Sequence, residues 1–253
     1  MRRRLTSLVG RVLPVPVRTA LRSRMGGAGD HPPVGRIRFG DLRRVEPLSR
    51  KFGYDRGHPV DRYYIEQFLA RHAGDVRGRV LEIGDDSYTR RFGGARVSQR
   101  DVLHIKEGHP GATIIADLSR GDGIPSGVFD CIILTQTLHL IYDVPAALST
   151  VARILKPGGV VLATVPGITQ IDHGEWRTSW YWAFTTLSVR RRFEEVFPAP
   201  NVTVETYGNV LAAVAFLYGI AQQELRAEEL DHRDRDYEVI IAVRAVKAEA
   251  RRP

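Results

Sequence analysis

The chain has 253 residues, 37 Lys plus Arg against 29 Asp plus Glu, 43% hydrophobic residues and a formal net charge of +8. One Cys excludes a disulfide scaffold, no run of 18 apolar residues is present for a membrane-spanning helix, and the ordinary apolar content excludes a wholly disordered or fibrous chain. The starting expectation is one large α/β domain with extensions, in a reducing, cytoplasmic setting.

The charge is unevenly placed. Arg2, Arg3, Arg4, Arg11, Arg18, Arg22 and Arg24 lie in the first 29 residues, which carry no acidic side chain, so nearly the whole excess belongs to this segment. Pro14 and Pro16 break any helix that would align its leucines and valines on one face. Residues 1–34 therefore read as a poorly ordered basic arm ending in a Gly/Pro linker. Its readings are a solvated arm or a peripheral contact with a membrane surface or an acidic partner. No nucleic-acid module accompanies the arginines, so nucleic acid is not an expected partner.

Residues 35–78 are expected to form an N-terminal helical cap over the crevice, with Asp61 capping a helix that buries Tyr64, Ile65, Phe68 and Leu69. From residue 79 to 247 short β-branched runs alternate with helical segments. The runs are 79–84, 95–101, 112–118, 129–138 and 160–166, then 201–208 and a last strand 237–246. Asp143 caps a helix, with Pro145 in its first turn, which Pro157, Gly158 and Gly159 end. A second helix follows around Val189 to Phe197, and an apolar one from about Val210 to Leu225. Continuous apolar runs separated by crossovers predict a Rossmann-like, seven-stranded, mostly parallel sheet with helices on both faces and an antiparallel last strand. Residues 248–253 are a tail.

In such a sheet, ligands bind beyond the carboxyl ends of the strands. Acidic or amide groups fall at four expected ends: Glu82 to Asp86, Asp101, Asp117, and Gln136 between two threonines. Carboxylates that accept from ribose hydroxyls, and a Gly where backbone approaches the ligand, suit a nucleoside. The lack of further glycines and of a Lys argues against a pyrophosphate cradle.

The ordered set VLEIGDD, VSQRD, IIADL, IPSGVFDCIILTQTLHLIYD and RILKPGGVVLATVP resembles the class I S-adenosylmethionine-dependent methyltransferases, close to the small-molecule group called type 11, over about residues 60–246. By that resemblance the cofactor is S-adenosylmethionine. Glu82 and Gly84 would then lie against its methionine part, whose ammonium Asp85 or Asp86 would satisfy by pointing inward. Asp101 would bind the ribose hydroxyls, Asp117 with Leu118 would face adenine, and Gln136 would sit beside the cofactor. Tyr63 of the cap would touch the methionine end. The chain departs from the family in its first motif, where Asp86 and Tyr88 stand in place of the next glycines.

The acceptor is expected to meet the loop after the fifth strand, which holds Asp172, His173, Trp176, Trp180, Tyr181 and Trp182. Aromatic side chains beside an Asp–His pair suit a sugar or aromatic ring, with imidazole taking a proton near neutral pH. His173 with Asp172 is the expected base and His139 the rival. Arg56 and Arg62 would meet an acidic group on cofactor or acceptor. Two ligands are too few for a metal site. The expected activity is methyl transfer to a hydroxyl of a sugar, glycan precursor or secondary metabolite. The alternative is a catalytically silent domain that binds a partner through its arm.

Overall fold

The computed structural model describes residues 32–249. The basic arm up to residue 31 and residues 250–253 lie outside the described residues, and the expectation of a membrane contact lies there with them. The chain divides into two compact units between Val45 and Glu46. Residues 35–45 of the expected cap thus belong to the first unit, and residues 46–78 belong with the sheet. In the first unit Gly40–Leu42 form a 3-10 turn, and the Arg43 guanidinium lies 5.0 Å from the Phe39 ring centre.

The second unit is built on a seven-stranded sheet in the order β3-β2-β1-β4-β5-β7-β6. Its strands are β1 Gly78–Ile83, β2 Val97–His104, β3 Ile114–Ile115, β4 Phe129–Thr135, β5 Leu155–Pro166, β6 Val202–Tyr207 and β7 Ile240–Val246. The first five pair in parallel, and β7 runs antiparallel to both β5 and β6. Both faces are covered, and β4 shows how one strand serves both. Ile132 and Leu134 pack into one core, with Leu148 and Ile154 of helix α2 (Val144–Ile154) and Phe193 of α3 (Thr186–Glu194). Cys131 and Ile133 point into the other core, against Tyr64 and Phe68 of α1 (Val60–Arg71) and Phe216 of α4 (Val210–Tyr218). Strand period two puts alternate side chains on opposite faces, and each buried Ile or Leu contributes roughly 1.5–3 kcal/mol, so an unbroken apolar run is what a doubly covered strand needs. Burial also pushes the Cys131 thiol up, which fits a small core hydrophobe.

Several expected boundaries shift for identifiable reasons. Pro59 stands at the N-cap of α1, so Asp61 lies inside the first turn and does not cap it. Asp143 does cap α2, accepting from the Ala146 N–H at 3.0 Å. That helix ends at Ile154, before the Pro-Gly-Gly, which instead bulges the start of β5 with Gly158 at φ +74°. Strand β2 continues three residues past Asp101, and β3 is two residues long.

Helix α4 stops at Gly219, whose φ of +67° suits a residue without Cβ; a Cβ there would also come within 2.5 Å of the Ser49 carbonyl oxygen. This close approach seats residues 46–59 on the C-terminal part of the unit. The Leu48 N–H donates to the Tyr218 carbonyl at 2.8 Å, the Gln222 N–H donates to that of His58 at 2.7 Å, and Pro59 bridges Ala221.

Candidate active site

The turn after β1 is closed by its own acids. Glu82, 2% exposed, accepts from the Tyr88 N–H at 3.1 Å and the Thr89 N–H at 2.7 Å. Burial pushes its pKa up to about 7 against the opposing effect of these bonds. Asp85 accepts from the Ser87 N–H at 2.7 Å. Asp86 pairs with Arg90 at 2.8 Å and Arg100 at 3.3 Å, and the Arg90 bond holds it below the usual carboxylate range. Gly84, at φ +94°, has open space where a Cβ would lie, with no atom within 4 Å.

At the end of β2 the structure corrects the sequence reading. Asp101 lies within the strand opposite Leu81, 5% exposed, accepting from Arg79 Nε at 2.7 Å and Thr113 Oγ1 at 3.2 Å. The strand instead ends on His104, whose ring stacks on His109 with centroids 4.0 Å apart. Asp117, beyond β3, accepts from the Ser119 N–H and hydroxyl at 2.8 and 2.7 Å, while the Leu118 side chain is packed in the core. Gln136 follows β4 at φ +46°, a left-handed conformation that few non-glycine residues adopt. The Tyr63 hydroxyl donates to Asp231 at 2.7 Å. The residues present fit S-adenosylmethionine at three strand ends: the open cradle at Gly84, Asp117 after β3 and Gln136 after β4. At the end of β2 an imidazole replaces the expected carboxylate.

Beside Gln136 a cavity opens between α1, the preceding loop and the segment after β5. Phe52, Trp176, Trp180 and Phe216 form its apolar wall; Asp61, Arg62, Gln136 and His139 form its polar one. Phe52 stacks on Trp180 with centroids 6.2 Å apart and planes 7° from parallel, and on Phe216 at 6.0 Å. Its φ of +57° costs of order 1–3 kcal/mol. The turn is held there by the Ser49 hydroxyl, which accepts from the N–H groups of Lys51 and Gly53 and donates to Asp55.

His139 is 4% exposed, its Nδ1 has no hydrogen-bond partner among the described residues, and its ring lies 4.5 Å from that of Trp180. Burial, reinforced by the charge of Arg62, pushes its pKa down to about 4.

The expected base is elsewhere. His173 is exposed, and Asp172 accepts from the Gly174 N–H at 2.6 Å; neither lines the cavity. The aromatic cluster also divides. Trp176 and Trp180 line the cavity, whereas Trp182 and Tyr181 pack on Tyr142 at 5.9 and 5.4 Å, and the Trp182 indole donates to the Ile141 carbonyl at 2.9 Å. Arg56 is taken by Glu224, with three hydrogen bonds of 2.8 to 3.2 Å. Sequence reasoning missed Phe52, Tyr54 and Phe216 as cavity residues. Their separation along the chain carries no local pattern, although the lone Phe in the turn before α1 was a signal.

A family model described as a methyltransferase domain matches residues 50–199. No curated protein matches the chain by sequence. Among solved structures, an S-adenosylmethionine-dependent methyltransferase from Archaeoglobus fulgidus is 12% identical over 74% of this chain and 94% of its own, with a TM-score of 0.50, which is a likeness of fold. One from Mesorhizobium loti is 18% identical, with 74% and 98% covered and a TM-score of 0.49. A phosphoethanolamine N-methyltransferase 2 from Haemonchus contortus is 15% identical over 83% of this chain, at a TM-score of 0.49; the match spans 55% of that longer chain.

Proposed function

Since the chain belongs to the class I S-adenosylmethionine-dependent methyltransferases, we propose that it methylates a hydroxyl on a small ring-bearing acceptor, a sugar, glycan precursor or secondary metabolite, with His139 taking the hydroxyl proton. The bound cofactor supplies an electrophilic methyl group on a sulfonium. The protein must exclude water, align the acceptor oxygen and remove its proton. Phe52, Trp176, Trp180 and Phe216 offer ring faces to the acceptor.

One observation carries the reading: a histidine 4% exposed, in the turn beyond β4, with a ring nitrogen that has no hydrogen-bond partner among the described residues. Its low pKa keeps the imidazole neutral at physiological pH, with a lone pair available, and the proton of the O–H bond passes to that nitrogen as the methyl joins oxygen. The nearby Arg62 charge opposes protonation, so the proton must pass on quickly to solvent or buffer.

The test is release of S-adenosylhomocysteine by the full chain across monosaccharide and phenol acceptors, with primary amines as the contrasting set. Turnover of hydroxyl compounds, reduced about 100-fold or more in His139→Ala, is expected. Turnover of amines alone would overturn the hydroxyl assignment, and full activity of His139→Ala would remove the base.

A further inference from the structure

The polar wall of the cavity carries two neighbouring charges that do not satisfy each other. Asp61 and Arg62, in the first turn of α1, both line the cavity. Asp61 is 6% exposed, and one of its oxygens accepts from the Arg62 backbone N–H at 2.8 Å. The other stands 3.5 Å from Arg62 Nε, close enough for an ion pair, yet that Nε is buried without a hydrogen-bond partner. The guanidinium donates a long bond from Nη1 to the Tyr88 hydroxyl at 3.4 Å and also bonds the Tyr54 phenol. An arginine has five N–H donors and a carboxylate about four acceptor positions, so both groups keep most of their capacity.

Charge balance selects the ligand. The other titratable groups of the wall are His139, neutral because its pKa is pushed down to about 4, and Tyr54, neutral because burial raises its phenol. Burial pushes the Asp61 carboxyl up and the Arg62 charge beside it opposes that shift, so a cation brought to Asp61 favours its ionised form; with Asp61 and Arg62 both ionised the wall is formally neutral. A lone anion or a lone cation would leave one unit of uncompensated charge in a poorly solvated place. A ligand bearing both signs leaves none.

We propose that Asp61 and Arg62 form a receptor for an α-amino-acid headgroup, Asp61 accepting from the ammonium and Arg62 donating to the carboxylate. This rests on the methyltransferase assignment in one respect, that the cofactor's methionine end is such a headgroup; a free amino acid acceptor would present the same chemistry. The Tyr88 contact joins the receptor to the turn after β1. There Glu82, Asp85 and Asp86 are engaged by the turn's own N–H groups and by arginines. A headgroup that cannot be held by that turn would find its partners on α1.

The test is equilibrium binding, so it stands whether or not turnover is found. Calorimetry on the full chain compares S-adenosylhomocysteine with 5′-methylthioadenosine, which keeps the nucleoside and sulfur but lacks the headgroup. A second pair, L-tyrosine and 4-methylphenol, differs by the same group on a hydroxyl-bearing ring. Wild type is expected to prefer S-adenosylhomocysteine by about tenfold or more, and Arg62→Met to lose that preference while keeping its affinity for 5′-methylthioadenosine. Loss of the preference for L-tyrosine alone would assign the receptor to the acceptor. Equal affinities within both pairs in wild type, or no binding of any of the four, overturns the proposal, and that comparison does not depend on a variant folding. Preferences unchanged in both Arg62→Met and Asp61→Asn overturn it as well.

Discussion

The carboxyl ends of β1 and β2 and the cavity at the end of β4 border one crevice, yet their polar side chains are used in opposite ways. Around β1 and β2, Glu82 is bonded to the turn's N–H groups, Asp86 to Arg90 and Arg100, and Asp101 to Arg79. Around the cavity, His139 Nδ1 and Arg62 Nε are buried without a hydrogen-bond partner among the described residues. Buried polar groups are normally satisfied, and leaving one unpaired costs about 1–3 kcal/mol. Buried atoms without a partner occur on both sides, at Thr89 Oγ1 and His109 Nδ1 as at His139 Nδ1, so the contrast lies in the charged groups: the acids around β1 and β2 are held by the protein's own N–H groups and arginines, whereas Arg62 keeps unused donors facing the cavity.

The comparison can be broken most sharply at His139. With its pKa near 4, methyl transfer should keep its rate down to about pH 5 and fall on an acid limb near pH 4. A limb between pH 6 and 7 in kcat/KM would show a base with an ordinary imidazole pKa and would exclude His139.

Stability should reveal the same contrast, because the two buried groups are shifted in opposite senses. His139 binds its proton less readily when folded, so it lowers stability as pH falls from about 6.5 to about 4. Glu82 binds its proton more readily when folded, so it lowers stability as pH rises from about 4.5 to about 7. Each amounts to about 3 kcal/mol, and over the shared window they nearly cancel. Glu82→Gln should therefore lose stability toward acid, and His139→Phe toward neutral pH. Thermal midpoints between pH 4 and 8 check both, and parallel curves for the two variants would refute the opposed shifts.

Smaller effects follow at the positions where the sequence reading and the structure part. Asp101→Asn should cost about 2 kcal/mol of stability, since it leaves Arg79 without its buried partner, and should leave S-adenosylhomocysteine affinity within about twofold. A large loss of affinity at an unchanged midpoint would return Asp101 to the ligand. His173→Ala and Asp172→Ala should change stability by less than about 0.5 kcal/mol and leave turnover unaltered, as expected of an exposed and a half-buried loop residue outside the cavity. A deep loss of turnover in either would move the base out of the cavity.

The sheet was legible because its strands are covered on both faces, so the apolar runs at 129–138 and 160–166 identify buried strands wherever their exact ends fall. Strand ends were less legible. In Asp101-Val102-Leu103-His104 the acid looks like the end of an apolar strand, but the pairing of Ile83 with Leu103 carries the strand past it. The Asp172–His173 pair had the right chemistry in the right loop, and nothing in a linear pattern distinguishes a histidine that turns outward from one that turns in. For His139 the clue was position: it lies four residues past the Thr135 that closes β4, in the turn 138–140 beyond the carboxyl end of that strand. Asp61 and Arg62 looked like a cap and a surface pair because residues that meet them across the cavity, Trp180 and Phe216, lie more than a hundred positions away.

That distance also sets a time order. Phe52 takes its left-handed conformation under the rings of Trp180 and Phe216, and the segment carrying it is tied to residues 218–224. During synthesis from the amino terminus, residues 46–59 emerge long before anything exists for them to close upon, and the central strands can pair in the meantime. Contacts of such sequence separation carry a large loop-closure entropy and form late. The wall that Phe52 supplies should thus be among the last parts of the molecule to assemble, and a chain cut short before residue 216 would keep the five parallel strands, lose β7 and with it the pairing of β6, and have no closed site.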